Sequence, residues 1–250
     1  MIRDSHLGIN MRSPMDERPP MDEAWESIRG RLGQGTPLGG STGARMHSVP
    51  MNTNTHGRRF VSKKGKHPQH ILNEFDMNRY LDALGVGVPE AGMFEHQGRP
   101  TMLTRFEEDA SPLDLGDKGA VQRVRQDFLP HAAIGNWDAL GLDLDNVLIR
   151  PDGTPTYVDV GGSGPWRAQG GAKADIGEPF TGNVSDIDTM QHLPPHTSDV
   201  FGGMTEQELG QSFDRFGGED AFTQALQHLQ DASTRNIMQQ RIGDIARRVA

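Results

Sequence analysis

The residues with the clearest chemical potential lie between Asp138 and Asp159. Five aspartates (Asp138, Asp143, Asp145, Asp152, Asp159) accompany a single arginine, Arg150. Carboxylates converging at the two ends of a turn repel one another unless a cation is bound. Hard oxygen ligands with the Asn146 amide beside them suit Mg²⁺ or Mn²⁺. An EF-hand is excluded by spacing: counted from Asp143, position six is Leu148 instead of glycine and position twelve is Thr154 instead of glutamate. Asp152 reads as the turn former of Pro151-Asp152-Gly153, and the plain alternative for the whole set is an Asp-rich surface loop. Glu74 is the second candidate. Helical spacing puts it on one stripe with Met77, Leu81 and Leu84, with Tyr80 beside them. An inward carboxylate needs a cation, and Lys63, at the end of Arg59-Phe60-Val61-Ser62-Lys63, is the natural partner. Alternatively, Glu74 sits in the first helical turn and only complements the helix dipole. The third candidate is the glycine loop, with Gly33, Gly35, Gly39, Gly40 and Gly43 flanking Ser41-Thr42. It is neither a Walker A motif nor a spaced dinucleotide fingerprint. Its backbone could cradle a phosphate, or it could be a linker.

These residues need elements to hold them. Residues 71–84 read as a helix stopped by Gly85, and 86–94 and 100–106 as strands around a Gln97-Gly98 turn. Residues 120–134 form a second helical pattern, which Pro130 bends or shortens. Val147–Ile149 and Tyr157–Val160 flank Pro151-Asp152-Gly153 as a tight hairpin. A short helix or strand is expected at 24–32. Residues 165–200 read as irregular, and 205–249 as two or three helices. The plan is α+β: a small sheet-rich N-terminal part and a larger helical C-terminal part. Residues 1–23 carry too little apolar surface to offset ordering entropy and read as a disordered tail.

Composition narrows the function. The chain has 250 residues, no cysteine and a net charge of −9. Disulfide scaffolds, thiolate zinc sites and cysteine nucleophiles are excluded, and a broad cationic surface for nucleic acid is not expected. No apolar run approaches membrane-spanning length, and Met1–Pro14 has no apolar core of a secretory signal. The ten histidines read as surface residues, and Arg235, Arg241, Arg247 and Arg248 as a solvated helix face.

Taken in order, these pieces resemble the protein-kinase-like fold. They are Phe60-Val61-Ser62-Lys63, Asn73-Glu74-Phe75 with Leu84-Gly-Val-Gly-Val-Pro89, Gly135-Asn136-Trp137-Asp138, Asn146-Val-Leu-Ile149 and Val158-Asp159-Val-Gly161-Gly-Ser163. The closer likeness is to an atypical branch: persistence-toxin Ser/Thr kinases, phosphatidylinositol 3- and 4-kinases, and minimal kinases secreted by bacterial pathogens. The resemblance implies a bilobal domain over 24–249, with an N-lobe at about 24–106 and a C-lobe at about 107–249. Lys63 would hold ATP phosphates and pair with Glu74, and Asp138 would orient or deprotonate the acceptor hydroxyl. Asn146 and Asp159 would bind Mg²⁺, or Mn²⁺ in its place. Gly39, Gly40, Ser41 and Gly43 would cover the phosphates, and Thr101–Glu107 would be the interlobe hinge. The implied activity is a Mg-ATP-dependent Ser/Thr kinase acting on a protein, a host protein if the chain is a secreted effector. It would be a monomer, in the bacterial cytoplasm or exported into a host cell. The alternatives are a phosphoinositide or small-molecule kinase, a pseudokinase binding module, and an AMP-transferring enzyme. There are departures from the pattern. Asp138 and Asn146 are eight positions apart where the usual loop has five, so Asp143 or Asp145 could take a role. Lys64 adjoins Lys63, Asn136-Trp137-Asp138 replaces His-Arg-Asp, and no Ala-Pro-Glu follows Asp159.

Overall fold

A computed structural model describes Trp25 and residues 28–39, 43–51 and 54–250. The expected tail at 1–23, and Gly40 and Ser41 of the glycine loop, lie outside the described residues.

Among the described residues, β1 (Thr36–Gly39), β2 (Ala44–Met51), β3 (Asn54–Lys63), β4 (Ala91–His96) and β5 (Arg99–Arg105) form an antiparallel sheet in the order β1-β2-β3-β5-β4. Side chains alternate across it, as the strand pleat requires. Phe60 joins Val49, Phe94 and Leu103 on the outer face, where Trp25 covers them. Gly92 has no side chain because a Cβ there would lie 2.5 Å from the Trp25 ring. Val61 and Lys63 face the other way, into the cleft beneath the sheet. The Gln97-Gly98 turn is present, with both residues at positive φ (55° and 72°).

Helix α1 (Pro68–Leu84) packs under the sheet. It begins three residues earlier than the hydrophobic stripe indicated, because Pro68 is preorganised for the first helical position. It ends on Gly85 at φ 83°. Ile71 and Phe75 meet Ala91 and Met102 of the sheet, while Met77, Tyr80, Leu81 and Leu84 enter the main core of the C-terminal part. One helix therefore joins the two halves. The strand expected at 86–94 starts only at Ala91. Residues 86–90 instead cap α1 and run beside the C-terminal hairpin, so close that a Cβ on Gly87 would lie 2.1 Å from the Pro155 carbonyl.

The C-terminal part contains β6 (Ser111–Pro112), α2 (Lys118–Gln126), α3 (Phe128–Ala133), β7 (Val147–Ile149), β8 (Pro155–Tyr157), α4 (Asp186–His192), α5 (Thr197–Phe201), α6 (Glu206–Arg215), α7 (Gly218–Ala225) and α8 (Ala232–Val249). The expected helix at 120–134 is two helices that break at Asp127. Pro130 lies in the first turn of α3, where its missing N–H costs nothing. The Gln126 carbonyl, which that N–H would have met, accepts from the Ser212 hydroxyl instead (2.9 Å). The expected hairpin is present, with β8 ending at Tyr157, so that Val158 and Asp159 run on beyond it. Residues 165–200 are not wholly irregular: α4 lies within them and α5 begins there.

Candidate active site

Lys63 closes β3 and points into the cleft; Glu74 lies two turns into α1. Their side chains meet at 2.7 Å, and the Lys63 ammonium also lies 3.3 Å from Asp159. Lys63 is 5% and Glu74 1% exposed, so this is a buried ion pair. The position of Glu74 excludes the first-turn dipole reading. Burial opposes the Lys63 charge, but Asp159 and Glu74 outweigh it and hold its pKa above the ordinary lysine value. Burial pushes the Glu74 carboxyl up, against the pull of Lys63. Lys64 points elsewhere, to the Gln97 side-chain oxygen at 3.2 Å. Lys63 is therefore the lysine of the cleft.

The β7–β8 hairpin explains why Asn146 and Asp159 are neighbours. Its register pairs Val147 with Tyr157, and the Val158 N–H donates to the Asn146 carbonyl at 2.9 Å. The residue before β7 and the second residue after β8 therefore emerge at the same end. Asn146 Nδ2 donates to the Asp138 carbonyl (2.8 Å) and to Asp138 Oδ2 (3.1 Å). The three extra residues between Asp138 and Asn146 are accommodated by an outward bulge, with Leu142 70% exposed and Asp143 and Asp145 in solvent. Gly141 and Leu144, both at positive φ, turn it. Burial, then the Asp159 carboxylate, lift Asp138 to about 6. Gly161 packs closely here: a Cβ would lie 3.1 Å from Glu74 Oε2, 3.2 Å from Asp159 Oδ1 and 3.3 Å from the His70 ring, so all three would have to give way.

A cavity of about 190 Å³ runs from this cluster toward the outside. Leu38, Ala44, Val61, Phe106 and Leu148 make its walls apolar, and Lys63, Asn146 and Asp159 stand at its polar end. An apolar slot bordered by an ammonium, an amide and a carboxylate suits a flat base joined to phosphates. Of the expected hinge Thr101–Glu107, Thr104–Glu107 line the slot, whereas Thr101 faces the opposite side of the sheet. Gly39 and Gly43 flank the turn between β1 and β2, with Gly43 at φ 67°.

Asn146 and Asp159 fit a divalent cation. Among the described residues no three His, Cys, Asp or Glu side chains gather as a metal site. One amide and one carboxylate leave most of a Mg²⁺ shell to phosphate oxygens and water, as Mg²⁺ prefers. The mutual repulsion of Asp138 and Asp159 is the charge such an ion would neutralise.

Several supporting residues gave no signal in the sequence. Arg241 is not on a solvated face; it is 1% exposed. Its guanidinium binds the Ala132, Ala133, Thr181 and Asn183 carbonyls and pairs with Asp186 at 2.5 Å. Asp186 in turn accepts from Trp137 Nε1 at 2.6 Å, one residue from Asp138. Lys173 donates to the Gly135 carbonyl and lies 4.7 Å from the Trp137 ring. Three of the histidines expected at the surface, His47, His70 and His131, are buried. His70 meets the Gly161 carbonyl (2.9 Å) and Trp166, and Asn73 donates to the Ser163 carbonyl. Helix α1 thereby holds the segment after Asp159. Arg150 grips Glu107 with two bonds of 2.9 Å.

No protein-family model matches the chain, and no curated protein matches it. Among solved structures, the chain is similar to the Helicobacter pylori proinflammatory kinase CtkA, with a TM-score of 0.54 and 9% identity over 88% of this chain and 95% of that one. It also matches HipA from the Shewanella oneidensis MR-1 toxin–antitoxin complex with HipB and operator DNA (TM-score 0.43, 13% identity, 92% of this chain and 70% of that one). A third match is the Mycobacterium tuberculosis PknI kinase domain (TM-score 0.35, 12% identity, 88% and 97%). The likeness to CtkA, at that identity, shows the fold: an α+β, protein-kinase-like architecture with an N-terminal antiparallel sheet and a mostly helical C-terminal part.

Proposed function

We propose that the protein is a Mg-ATP-dependent phosphotransferase, a Ser/Thr protein kinase of the atypical type. The observation that carries this reading is the Lys63–Glu74–Asp159 cluster, with Asn146 tied to Asp138, at the inner end of one apolar slot. Phosphoryl transfer asks for positioning and charge neutralisation more than covalent chemistry, and this cluster supplies both. The slot takes the base, and Lys63, fixed by Glu74, meets the phosphates. Asn146 and Asp159 would hold Mg²⁺, which would supply charge neutralisation beside the phosphates. Asn146 occupies Asp138 Oδ2, leaving Oδ1 to orient the acceptor hydroxyl and take its proton. Burial raises the Asp138 carboxyl above the ordinary carboxylate range, which makes it a stronger base. The acceptor oxygen bonds to the γ-phosphorus as the bond to the β–γ bridging oxygen breaks, and ADP leaves.

The test offers Mg²⁺ and ATP with protein and phosphoinositide-vesicle acceptors in parallel, and reads the product by mass spectrometry. Phosphate on Ser or Thr of protein is expected. A lipid product, an added AMP, or nucleotide binding without turnover overturns the Ser/Thr assignment. The effector part of the reading rests on the polar composition of 1–23, and deletion of 1–30 is expected to abolish export from the native host. Unchanged export refutes it.

A further inference from the structure

We propose that the outer face of the N-terminal sheet carries a second binding site, for a phosphate-sized anion. It is independent of the cleft and of any catalytic reading. Because side chains alternate on β3, Ser62 points away from the slot that Val61 and Lys63 line, into a cavity of about 630 Å³ on the opposite face. The polar wall of that cavity is made of Arg45, His47, Ser62, Lys64, His96 and Thr101. Among the described residues no carboxylate lines it, in a chain whose net charge is −9. The contrast with the next large cavity is instructive. There Arg79, Arg105 and Arg150 are matched by Asp82, Glu90 and Glu107. Among the described residues that line the outer cavity no such matching carboxylate stands.

The wall is built in place. Arg45 donates through Nε to the Gln34 carbonyl and through Nη2 to the Gly35 carbonyl, both at 2.7 Å, which fixes its guanidinium at the rim. His47 is 7% exposed, with Nδ1 3.1 Å from the Gly33 carbonyl and Nε2 2.8 Å from Ser62 Oγ. A carbonyl can only accept, so Nδ1 carries the proton and the neutral ring accepts from the serine hydroxyl. Burial holds the His47 imidazole below its ordinary pKa. Arg45 and His96 push the same way, against the Gly33 carbonyl. Lys64 has a neutral partner, the Gln97 side-chain oxygen. The donors that remain, the other Arg45 N–H groups, the Lys64 ammonium and the His96 ring, suit a tetrahedral oxyanion, whose oxygens each accept several charge-assisted bonds, while His47, Ser62 and Thr101 complete the wall with their protons committed to Gly33, His47 and Arg99. Such an anion would clamp β2, the strand that follows the glycine turn, to β3 and β5.

The experiment is an NMR titration of the full chain in EDTA with inorganic phosphate and, separately, with glucose 6-phosphate. The expected result is a saturable shift of the His47 and His96 ring resonances and of the Thr101 amide. The double variant Lys64→Gln, His96→Gln is expected to weaken binding by about tenfold or more while keeping a folded spectrum. Tighter binding of glucose 6-phosphate identifies a carried phosphate and equal binding a free one; both support the site. No saturable shift, shifts confined to the Lys63–Asp159 cleft, or undiminished affinity in the folded double variant overturns it.

Discussion

One ammonium, that of Lys63, stands between the carboxylates of Glu74 and Asp159, and its burial makes each contact consequential. A buried pair that loses one partner leaves an uncompensated charge, which costs far more than the pair itself contributes. The same reasoning applies to Arg241 and Asp186, both buried and remote from the slot. Arg241→Met is expected to destabilise the fold by about 3–5 kcal/mol, read as a lowered urea midpoint. A loss below about 1 kcal/mol would contradict a structural role for the pair. Lys63, Glu74 and Asp159 were legible in the sequence because each sits at a fixed place on a periodic element: a strand end, a helix stripe, a hairpin exit. Arg241 and Lys173 were not, since their partners (Asp186, Gly135) are dozens of residues away and nothing local marks them.

Elements turn these contacts into a site. The β7–β8 hairpin carries Asn146 and Asp159 at one end, while Arg150, which follows β7, grips Glu107 at the edge of the slot. Arg150→Met should loosen the slot without touching the reacting atoms. A several-fold rise in KM for ATP with little change in kcat is expected from steady-state kinetics, and a kcat loss with unchanged KM would contradict that role. The segment after Asp159 is held from two sides: α1 grips it through His70 and Asn73, and its own Lys173 donates to the Gly135 carbonyl in the loop that precedes Asp138. Burial lowers Lys173 to about 7, against the opposing pull of Asp186. An unfolded lysine titrates near 10.4. Between those values the unfolded chain binds a proton that the folded chain has released, so stability rises with pH. The unfolding free energy of the wild type, read from urea midpoints, is therefore expected to gain more between pH 7 and pH 9 than that of Lys173→Met, by up to about 1.4 kcal/mol per pH unit. Identical slopes would contradict it. Periodicity located α1 and the hairpin. It misplaced the start of β4 and the single helix at 120–134, because close packing at Gly87 and the Asp127 break are tertiary facts.

At the scale of the molecule, α1 shares its apolar surface between the sheet and the helical core, and the slot lies where the two parts meet. The α+β plan was legible from the order of motifs, and the shape of the slot was not. Its walls come from β1, β2, β3, residues 104–107 and β7, which meet only in the folded chain. The proposed reaction is transfer of the γ-phosphoryl group of Mg-ATP at the cluster beside this slot. Its most direct test is incorporation of label from γ-labelled ATP, with Mg²⁺ and with EDTA, by the wild type and by folded Lys63→Met, Asp138→Ala and Asp159→Ala. Mg²⁺-dependent labelling is expected from the wild type, with a loss of roughly a hundredfold or more in each variant. Labelling in the variants at the wild-type rate, or labelling indifferent to Mg²⁺, would contradict it.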